Sequence, residues 1–208
     1  GNFGIFGFFV KILSIMKFLF FCSYLYIMLK AFKYRLSPTK EQSILLNKHI
    51  GASRFVYNLA LECKQMAWAG NRVNLSCFAL HSQLKDLKTE CEWLEEINSQ
   101  SLQQSITNLD KAYTAFFKGQ NSFPKFKKKS NGGSFNIPQN VVLENGKLII
   151  PKFKKGIDIV LHRPIKGLIR QATISITPTG KYFVSILCET GEAIKPKAKV
   201  KEKTTVGI

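Results

Sequence analysis

The stretch Val141-Val142-Leu143-Glu144-Asn145-Gly146-Lys147-Leu148-Ile149-Ile150 decides the fold class. Two apolar runs flank Asn145-Gly146, and a type I′ turn requires positive φ at both of its central residues. Asn and Gly are the residues that tolerate this conformation best. The stretch therefore predicts an antiparallel β-hairpin.

Further strands are predicted on both sides of this hairpin. Residues 157–161, 172–177 and 181–188 are apolar or alternate, with a Pro-Thr-Gly turn between the last two. An early strand at 30–36 alternates in the same way. Short strands at this spacing are typical of a small antiparallel β-barrel. The early strand joins that barrel only if the residues between form an insertion.

The intervening residues, 38–119, predict a small helical bundle, because apolar residues recur there at intervals of three and four. Ser76 precedes one helix, and another begins near Ser99 or Ser101. Gly119 ends the last helix. The fold class predicted is therefore α+β, with a β-barrel interrupted by an inserted helical bundle.

The first two helices of the bundle form a pair. Thr39 and Gln42 make a capping box, so a helix begins there and runs to about His49. Gly51 is predicted to separate it from a second helix that exposes Arg54 and Asn58. The pair has the pattern of a helix-turn-helix, although most such pairs are plain helical hairpins.

The predicted organisation runs along the whole chain. It consists of a hydrophobic extension at 1–27, a first barrel strand at 28–37, the helical bundle at 38–119, a β-barrel at 120–190, a basic linker at 191–203 and a further strand at 204–208.

The net charge indicates the class of partner. The 208 residues include 31 Lys and Arg against 13 Asp and Glu, a formal charge of +18. This excess is typical of proteins that bind a polyanion, either nucleic acid or an anionic membrane surface. The five cysteines include no CxxC pair, which argues against a disulfide framework or a zinc ribbon here. We therefore expect a reducing, cytoplasmic compartment.

Residues 1–27 leave two interpretations open. The longest run without a charge is Phe18–Leu29, which has 12 residues. A membrane span needs about 20. We favour the interpretation that these residues precede the true start at Met28, and a membrane anchor is the alternative.

The positive charge is concentrated between Lys118 and Lys155, where nine lysines face a single acid, Glu144. Phenylalanines interleave them at 117, 123, 126, 135 and 153. Such rings either stack on unpaired bases, at roughly 1–3 kcal/mol each, or belong to the barrel core. The candidate nucleic-acid-binding residues are Lys33, Arg35, Arg54, Asn58, Lys118, Lys125, Lys127, Lys128, Lys129, Lys152, Lys154, Lys155 and Arg163.

No catalytic motif is visible. His49, His81 and His162 are scattered, and neither H-x-x-x-H, G-x-S-x-G nor a P-loop occurs.

Several stretches together resemble the TnpB family, also called OrfB, of bacterial insertion-sequence proteins. Their order and spacing make the likeness specific, and it covers residues 28–208. The matching stretches are Met28–Gln42, Gly51-Ala52-Ser53-Arg54-Phe55-Val56-Tyr57-Asn58, Leu102-Gln103, Leu109–Tyr113, Phe116–Gly119, Phe123-Pro124-Lys125-Phe126-Lys127, His162–Gly167 and Val206-Gly207-Ile208.

The resemblance implies a transposon-encoded RNA-guided DNA endonuclease whose partners are a guide RNA and target DNA. It implies a wedge domain, the small β-barrel, interrupted by a helical recognition bundle and followed by an RNase H-like nuclease domain. That domain would use three carboxylates with a divalent metal and carry a zinc ribbon. Its first catalytic aspartate would follow Ile208, so we expect a truncated chain without catalytic residues, divalent metal or zinc.

Two alternatives remain from the residues themselves. The first is a helix-turn-helix DNA-binding regulator that uses the helix pair and no guide RNA. The second is a membrane-anchored basic protein, which depends on residues 1–27.

Overall fold

The computed structural model describes residues 28–191. The predicted hydrophobic extension at 1–27, the linker from residue 192 and the strand at 204–208 lie outside this part. In chain order the elements are β1 (Leu29–Ser37), α1 (Lys40–Asn71), α2 (Cys77–Glu90), a 3-10 turn (Glu92–Leu94), α3 (Ser99–Phe117), a second 3-10 turn (Lys129–Asn131), β2 (Gly133–Ile137), β3 (Val142–Glu144), β4 (Lys147–Ile150), β5 (Phe153–Val160), β6 (Leu168–Ile176) and β7 (Tyr182–Glu189).

The seven strands form one antiparallel sheet in the order β2-β6-β7-β1-β5-β4-β3. The early strand β1 lies at its centre, where it pairs with β7 along most of its length and with β5 at Arg35–Ser37. The α+β class and the recruitment of the early strand are therefore confirmed. The structure places α1, α2 and α3 between β1 and β2.

The sheet is open, so the prediction of a closed barrel is not met. The edge strands β2 and β3 do not pair with each other in the described part of the chain. β3 has only three residues, which leaves it few backbone groups with which to close a barrel. The sheet nevertheless curls, because residues from six of its strands meet in a single core.

The Asn-Gly hairpin forms as predicted. Asn145 and Gly146 have φ of 50° and 71°, the positive values that a type I′ turn needs. The turn joins β3 to β4, and Glu144 faces Lys147 across it.

Alternation along the strands builds the sheet core. On β1, Phe32, Tyr34 and Leu36 are buried, whereas Lys33 and Arg35 between them are exposed. The same alternation holds on β7, where Val184, Ile186 and Cys188 are buried. Successive side chains of a strand point to opposite sides of the sheet. One side of the sheet is therefore apolar and packs in the core, and the opposite side points outward.

The helix pair predicted around Gly51 is wrong, because α1 is one continuous helix of 32 residues. Its first half contributes Leu46 and Ile50 to the sheet core, and its second half contributes Val56 and Leu61 to a separate bundle core. A glycine in a helix interior costs only about 1 kcal/mol. Burial in two cores outweighs that cost, so the helix passes through the glycine without a turn.

The predicted helix starts are confirmed. Thr39 and Gln42 form the reciprocal capping box of α1, and the Ser76 side chain accepts a hydrogen bond from the Ala79 amide at the start of α2. Asn98 caps α3, which begins at Ser99. Gly119 follows α3 with a φ of 68°, the left-handed conformation that ends a helix.

His49 joins the two cores. Its Nδ1 donates to the Leu45 carbonyl at 2.9 Å, and its Nε2 accepts from the Asn98 amide at 3.3 Å, which requires the neutral ring. The ring packs against Phe135 and Phe153 of the sheet. Burial is the main cause that lowers the pKa of His49 below its ordinary value of 6.5.

No helix within residues 28–191 combines the length and the hydropathy that crossing a membrane requires.

Candidate nucleic-acid interface

The segment that connects α3 to β2, Lys118–Asn131, is called the basic loop below. It contains five lysines and no acid. All five are exposed as whole residues, although the amine of Lys127 is partly desolvated against the Tyr57 ring. Within residues 28–191 none of them forms an ion pair, because the three ion pairs there involve Lys48, Lys147 and Arg170. The loop therefore presents a concentrated positive charge that no carboxylate of the described chain neutralises.

Asn58 fixes the basic loop to α1. Its Oδ1 accepts a hydrogen bond from the Lys127 amide at 2.8 Å, and its Nδ2 donates to the Lys127 carbonyl at 3.0 Å. The two bonds together hold both polar backbone groups of one residue, as a neighbouring strand would. The asparagine clamp, as we name this pair of bonds, makes the loop part of the bundle surface.

The residues around the asparagine clamp strengthen it. The Lys127 amine lies over the Tyr57 ring, 3.9 Å from its centroid, a cation–π contact. Arg54 donates to the carbonyl of Gly132, the residue that follows the loop, at 3.2 Å. Desolvation, followed by the charge of Arg54, lowers the pKa of Lys127 from its ordinary value of 10.5.

The interleaved phenylalanines divide into two groups. Phe135 and Phe153 are buried in the sheet core, 3% and 4% exposed. Phe117, Phe123 and Phe126 are 74%, 42% and 48% exposed. The interpretation as core therefore holds for the rings at 135 and 153. The rings at 117, 123 and 126 instead lie at the surface beside the lysines, where stacking on bases is possible.

An aromatic cluster supports the start of the basic loop. Phe123 meets Tyr113 and Phe116 edge-on, with ring centroids 5.5 and 5.3 Å apart. Phe117 stacks on Tyr113 at 6.2 Å, and Pro124 beside this cluster is buried. The loop is thus held at one end by aromatic packing and at the other by the asparagine clamp.

Arg54 and Asn58 were predicted to be exposed, and both are instead half-buried against the basic loop. Phe55, between them on α1, is 38% exposed and contacts Trp93. The structure therefore brings Arg54, Asn58 and the loop lysines together, with the first two supporting the loop.

The other predicted site residues lie elsewhere. Lys33 and Arg35 are on the outer face of β1, where the Lys33 amine lies 4.9 Å from the centroid of the Phe183 ring. The Arg163 guanidinium lies over Phe32.

The predicted lysines near β5 form a separate group. Lys152 donates to the Glu95 carbonyl at 3.1 Å and so ties the sheet to the bundle. Lys154 and Lys155 are exposed at the start of β5. Among residues 28–191, no hydrogen bond or ion pair links Lys33, Arg35, Arg163 or these three lysines to the basic loop.

The sequence alone did not reveal the supporting roles of Tyr57 and Tyr113. The available signal was Asn58, since asparagine is a poor residue for a helix interior and its side chain competes for backbone hydrogen bonds. Such a residue near the middle of a 32-residue helix indicates that its side chain binds another backbone.

Between residues 28 and 191 no group of three or more His, Cys, Asp or Glu side chains could hold a metal ion.

Comparison with known proteins identifies the family of the chain. The family model HTH_OrfB_IS605, described as a helix-turn-helix domain, matches residues 28–72. A Streptomyces pristinaespiralis protein named as an RNA-guided DNA endonuclease is 34% identical over 166 residues, which cover 77% of this chain. InsQ of Escherichia coli K12, named in the same way, is 34% identical over 165 residues, again 77% of this chain. This chain belongs to the TnpB/OrfB family of insertion-sequence proteins.

The TnpB/OrfB chain spans about two-fifths of the length of these relatives, 41% and 40%. It also matches VsdF of Salmonella dublin, named as a virulence protein, with 35% identity over 113 residues. That match covers 49% of this chain and 95% of VsdF. The region named helix-turn-helix in the family model contains β1 and the uninterrupted helix α1 in this TnpB/OrfB chain.

Proposed function

We propose that the chain is the nucleic-acid-binding part of a TnpB-like RNA-guided DNA endonuclease, and that its basic loop contacts the phosphates of guide RNA or target DNA. The observation that carries the proposal is a loop of five lysines without an ion pair in the described chain, fixed in place by two hydrogen bonds between Asn58 and the backbone of Lys127. The names of the relatives support RNA and DNA as the classes of partner.

The fixed position of the basic loop favours binding. A flexible lysine-rich segment loses conformational freedom when it binds, and that loss subtracts from affinity. The asparagine clamp and the aromatic cluster order the backbone before any ligand arrives. Lysines held side by side then release counterions from the nucleic acid, which makes affinity fall with rising salt.

The proposal extends to the rest of the chain. The curled sheet corresponds to the wedge domain, and the helices between β1 and β2 correspond to the recognition bundle. We further propose that Lys33 and Arg35 on the outer face of β1, and separately the exposed Arg163 in the β5–β6 loop, contact the nucleic-acid backbone. The exposed lysines at 154 and 155 extend this set along β5.

The test uses the whole 208-residue chain. The protein is expressed with and without the transposon's flanking DNA, purified at low salt, and its bound RNA is extracted and sequenced. The proposal predicts a discrete RNA that maps beside the gene, and gel-shift affinity for that RNA at low salt. A protein free of RNA, with no affinity for RNA or DNA at low salt, would refute it.

A helix-turn-helix regulator without guide RNA is the second candidate, and the description of the family model favours it. The same purification separates the two. The regulator predicts no bound RNA and sequence-specific binding to a duplex. The uninterrupted helix α1 argues against this candidate, because a helix-turn-helix needs a turn that sets its second helix into the major groove.

A further inference from the structure

We propose that Phe126 is a stacking surface for one unpaired base, and that it makes the basic loop selective for single-stranded over double-stranded nucleic acid. This inference rests on the proposed function, since the strand must first be held by the neighbouring lysines.

The asparagine clamp orients Phe126. Because both backbone groups of Lys127 are bonded to Asn58 and its amine lies over Tyr57, this side chain is directed at α1. Lys128 has extended backbone, with φ −99° and ψ 146°, and successive side chains of extended backbone point to opposite sides. Phe126 and Lys128, the residues on either side of Lys127, are both exposed.

Phe126 differs from the two other exposed rings near the basic loop, Phe117 and Phe123. Phe123 packs edge-on against two rings, and Phe117 contacts Tyr113 and Phe116. Within residues 28–191 Phe126 has no aromatic partner, and it is 48% exposed. About half of this large apolar side chain therefore stays in contact with water, next to a residue whose backbone the asparagine clamp holds.

The surroundings of Phe126 select the ligand. Lys125 and Lys128 are exposed nearby, and no acid occurs in the basic loop. A basic surface repels a second copy of this strongly basic chain, whereas it attracts a phosphodiester backbone. An aromatic ring among such lysines matches the alternation of phosphate and base in a single strand. In a duplex the bases already stack on each other, so the ring has no face to meet.

The experiment compares Phe126→Ala, Phe126→Tyr and Phe126→Leu in the whole chain. Binding to a fluorescent 20-nucleotide single-stranded RNA and to a duplex of the same sequence is measured by anisotropy across a salt series. Phe126→Ala is expected to weaken single-strand binding about 5- to 150-fold, equivalent to the loss of roughly 1–3 kcal/mol of stacking. Phe126→Tyr should keep the single-strand affinity of the unmodified chain, whereas Phe126→Leu should lose it. Affinity for the duplex should be the same in all of these proteins.

The controls separate this inference from the proposed function. Trp93 is a similarly exposed ring, but it lies among Glu92, Glu95 and Glu96, so Trp93→Ala should leave single-strand affinity unchanged. The salt dependence of binding should be the same for Phe126→Ala and the unmodified chain, because no charge changes.

Three results would overturn the inference. The first is that Phe126→Ala lowers affinity for the duplex as much as for the single strand, and the second is that Phe126→Leu keeps full single-strand affinity. The third is that Phe126→Ala keeps its single-strand affinity but loses self-association or liposome binding. Failure of the proposed function looks different, since the unmodified chain would then bind neither nucleic acid.

Discussion

Removing the asparagine clamp should release the basic loop while leaving the charge of the chain unchanged. Asn58→Ala deletes the hydrogen bonds to the Lys127 amide and carbonyl, at 2.8 and 3.0 Å. A hydrogen bond of this kind contributes about 0.5–1.5 kcal/mol net. Two of them give about 1–3 kcal/mol for the docking of the loop, which corresponds to a 5- to 150-fold change in its local opening.

Hydrogen exchange followed by mass spectrometry measures this opening directly. The amide of Lys127 donates to Asn58, so its exchange in the unmodified chain requires the loop to detach. In Asn58→Ala, peptides that contain Lys127 should exchange about 5- to 150-fold faster. Peptides from β6 and β7, at the centre of the sheet, should exchange at the unmodified rate.

The matched control is Asn121→Ala, an exposed asparagine of the same loop that makes no side-chain hydrogen bond within residues 28–191. It should leave the exchange of Lys127 unchanged. Affinity for single-stranded RNA should fall in Asn58→Ala and stay constant in Asn121→Ala. Equal exchange of Lys127 in all three proteins would show that the clamp does not hold the loop.

Three further predictions concern the stability of the two cores, measured by urea unfolding. The neutral, buried His49 has a folded pKa below the 6.5 of its ordinary state, so the unfolded chain binds the proton first. The contribution of neutral His49 to the free energy of unfolding is therefore fully present above pH 6.5. As the pH falls below 6.5, that free energy decreases by up to about 1.4 kcal/mol per pH unit. His49→Gln should remove this part of the pH dependence. Gly51→Ala should stabilise the chain by about 0.5–1 kcal/mol, because nothing lies within 4 Å of the added Cβ in a helical conformation; a loss of stability would indicate a turn there. Gly133→Ala should destabilise it by about 1–3 kcal/mol, because its Cβ would lie 2.5 Å from Cγ2 of Ile50; an unchanged midpoint would contradict the packing of α1 on β2.

Local chemistry explains what the sequence could predict about the fold. The capping box at Thr39 and the Asn-Gly turn at 145–146 depend on residues that are adjacent or one helical turn apart, and both form. Strand alternation placed Phe32, Tyr34 and Leu36 on one face, as observed. These features need no knowledge of the rest of the molecule.

The incorrect or missed predictions all concern features that depend on contacts between residues far apart in the sequence. Gly51 looked like a turn because a glycine lowers helix propensity, yet packing in two cores decides the conformation of α1. The strand β2 was missed, because its five residues become a strand through pairing with β6, about 40 positions away. Barrel closure likewise depends on whether β2 and β3 meet, which no local pattern encodes.

The sequence predicts where the positive charge of the candidate site is concentrated, but not how the residues of the site are arranged in space. The density of lysines between 118 and 129 is visible in the sequence, and so are the phenylalanines between them. Which rings are core and which lie at the surface follows from the sheet topology. The role of Asn58 depends on a contact with Lys127, 69 residues further along the chain.

The salt dependence of binding measures how many phosphates the basic loop contacts. In the variant in which Lys118, Lys125, Lys128 and Lys129 are changed to Gln, four proposed phosphate contacts are lost. Each contact contributes about 0.7 to the slope of log affinity against log salt for a single strand, so the slope should become shallower by about three. The matched control removes the same charge from exposed lysines on other elements, namely Lys40, Lys85, Lys111 and Lys181. We predict that the control keeps most of the original slope, and equal slopes for the two variants would contradict the assignment of binding to the basic loop.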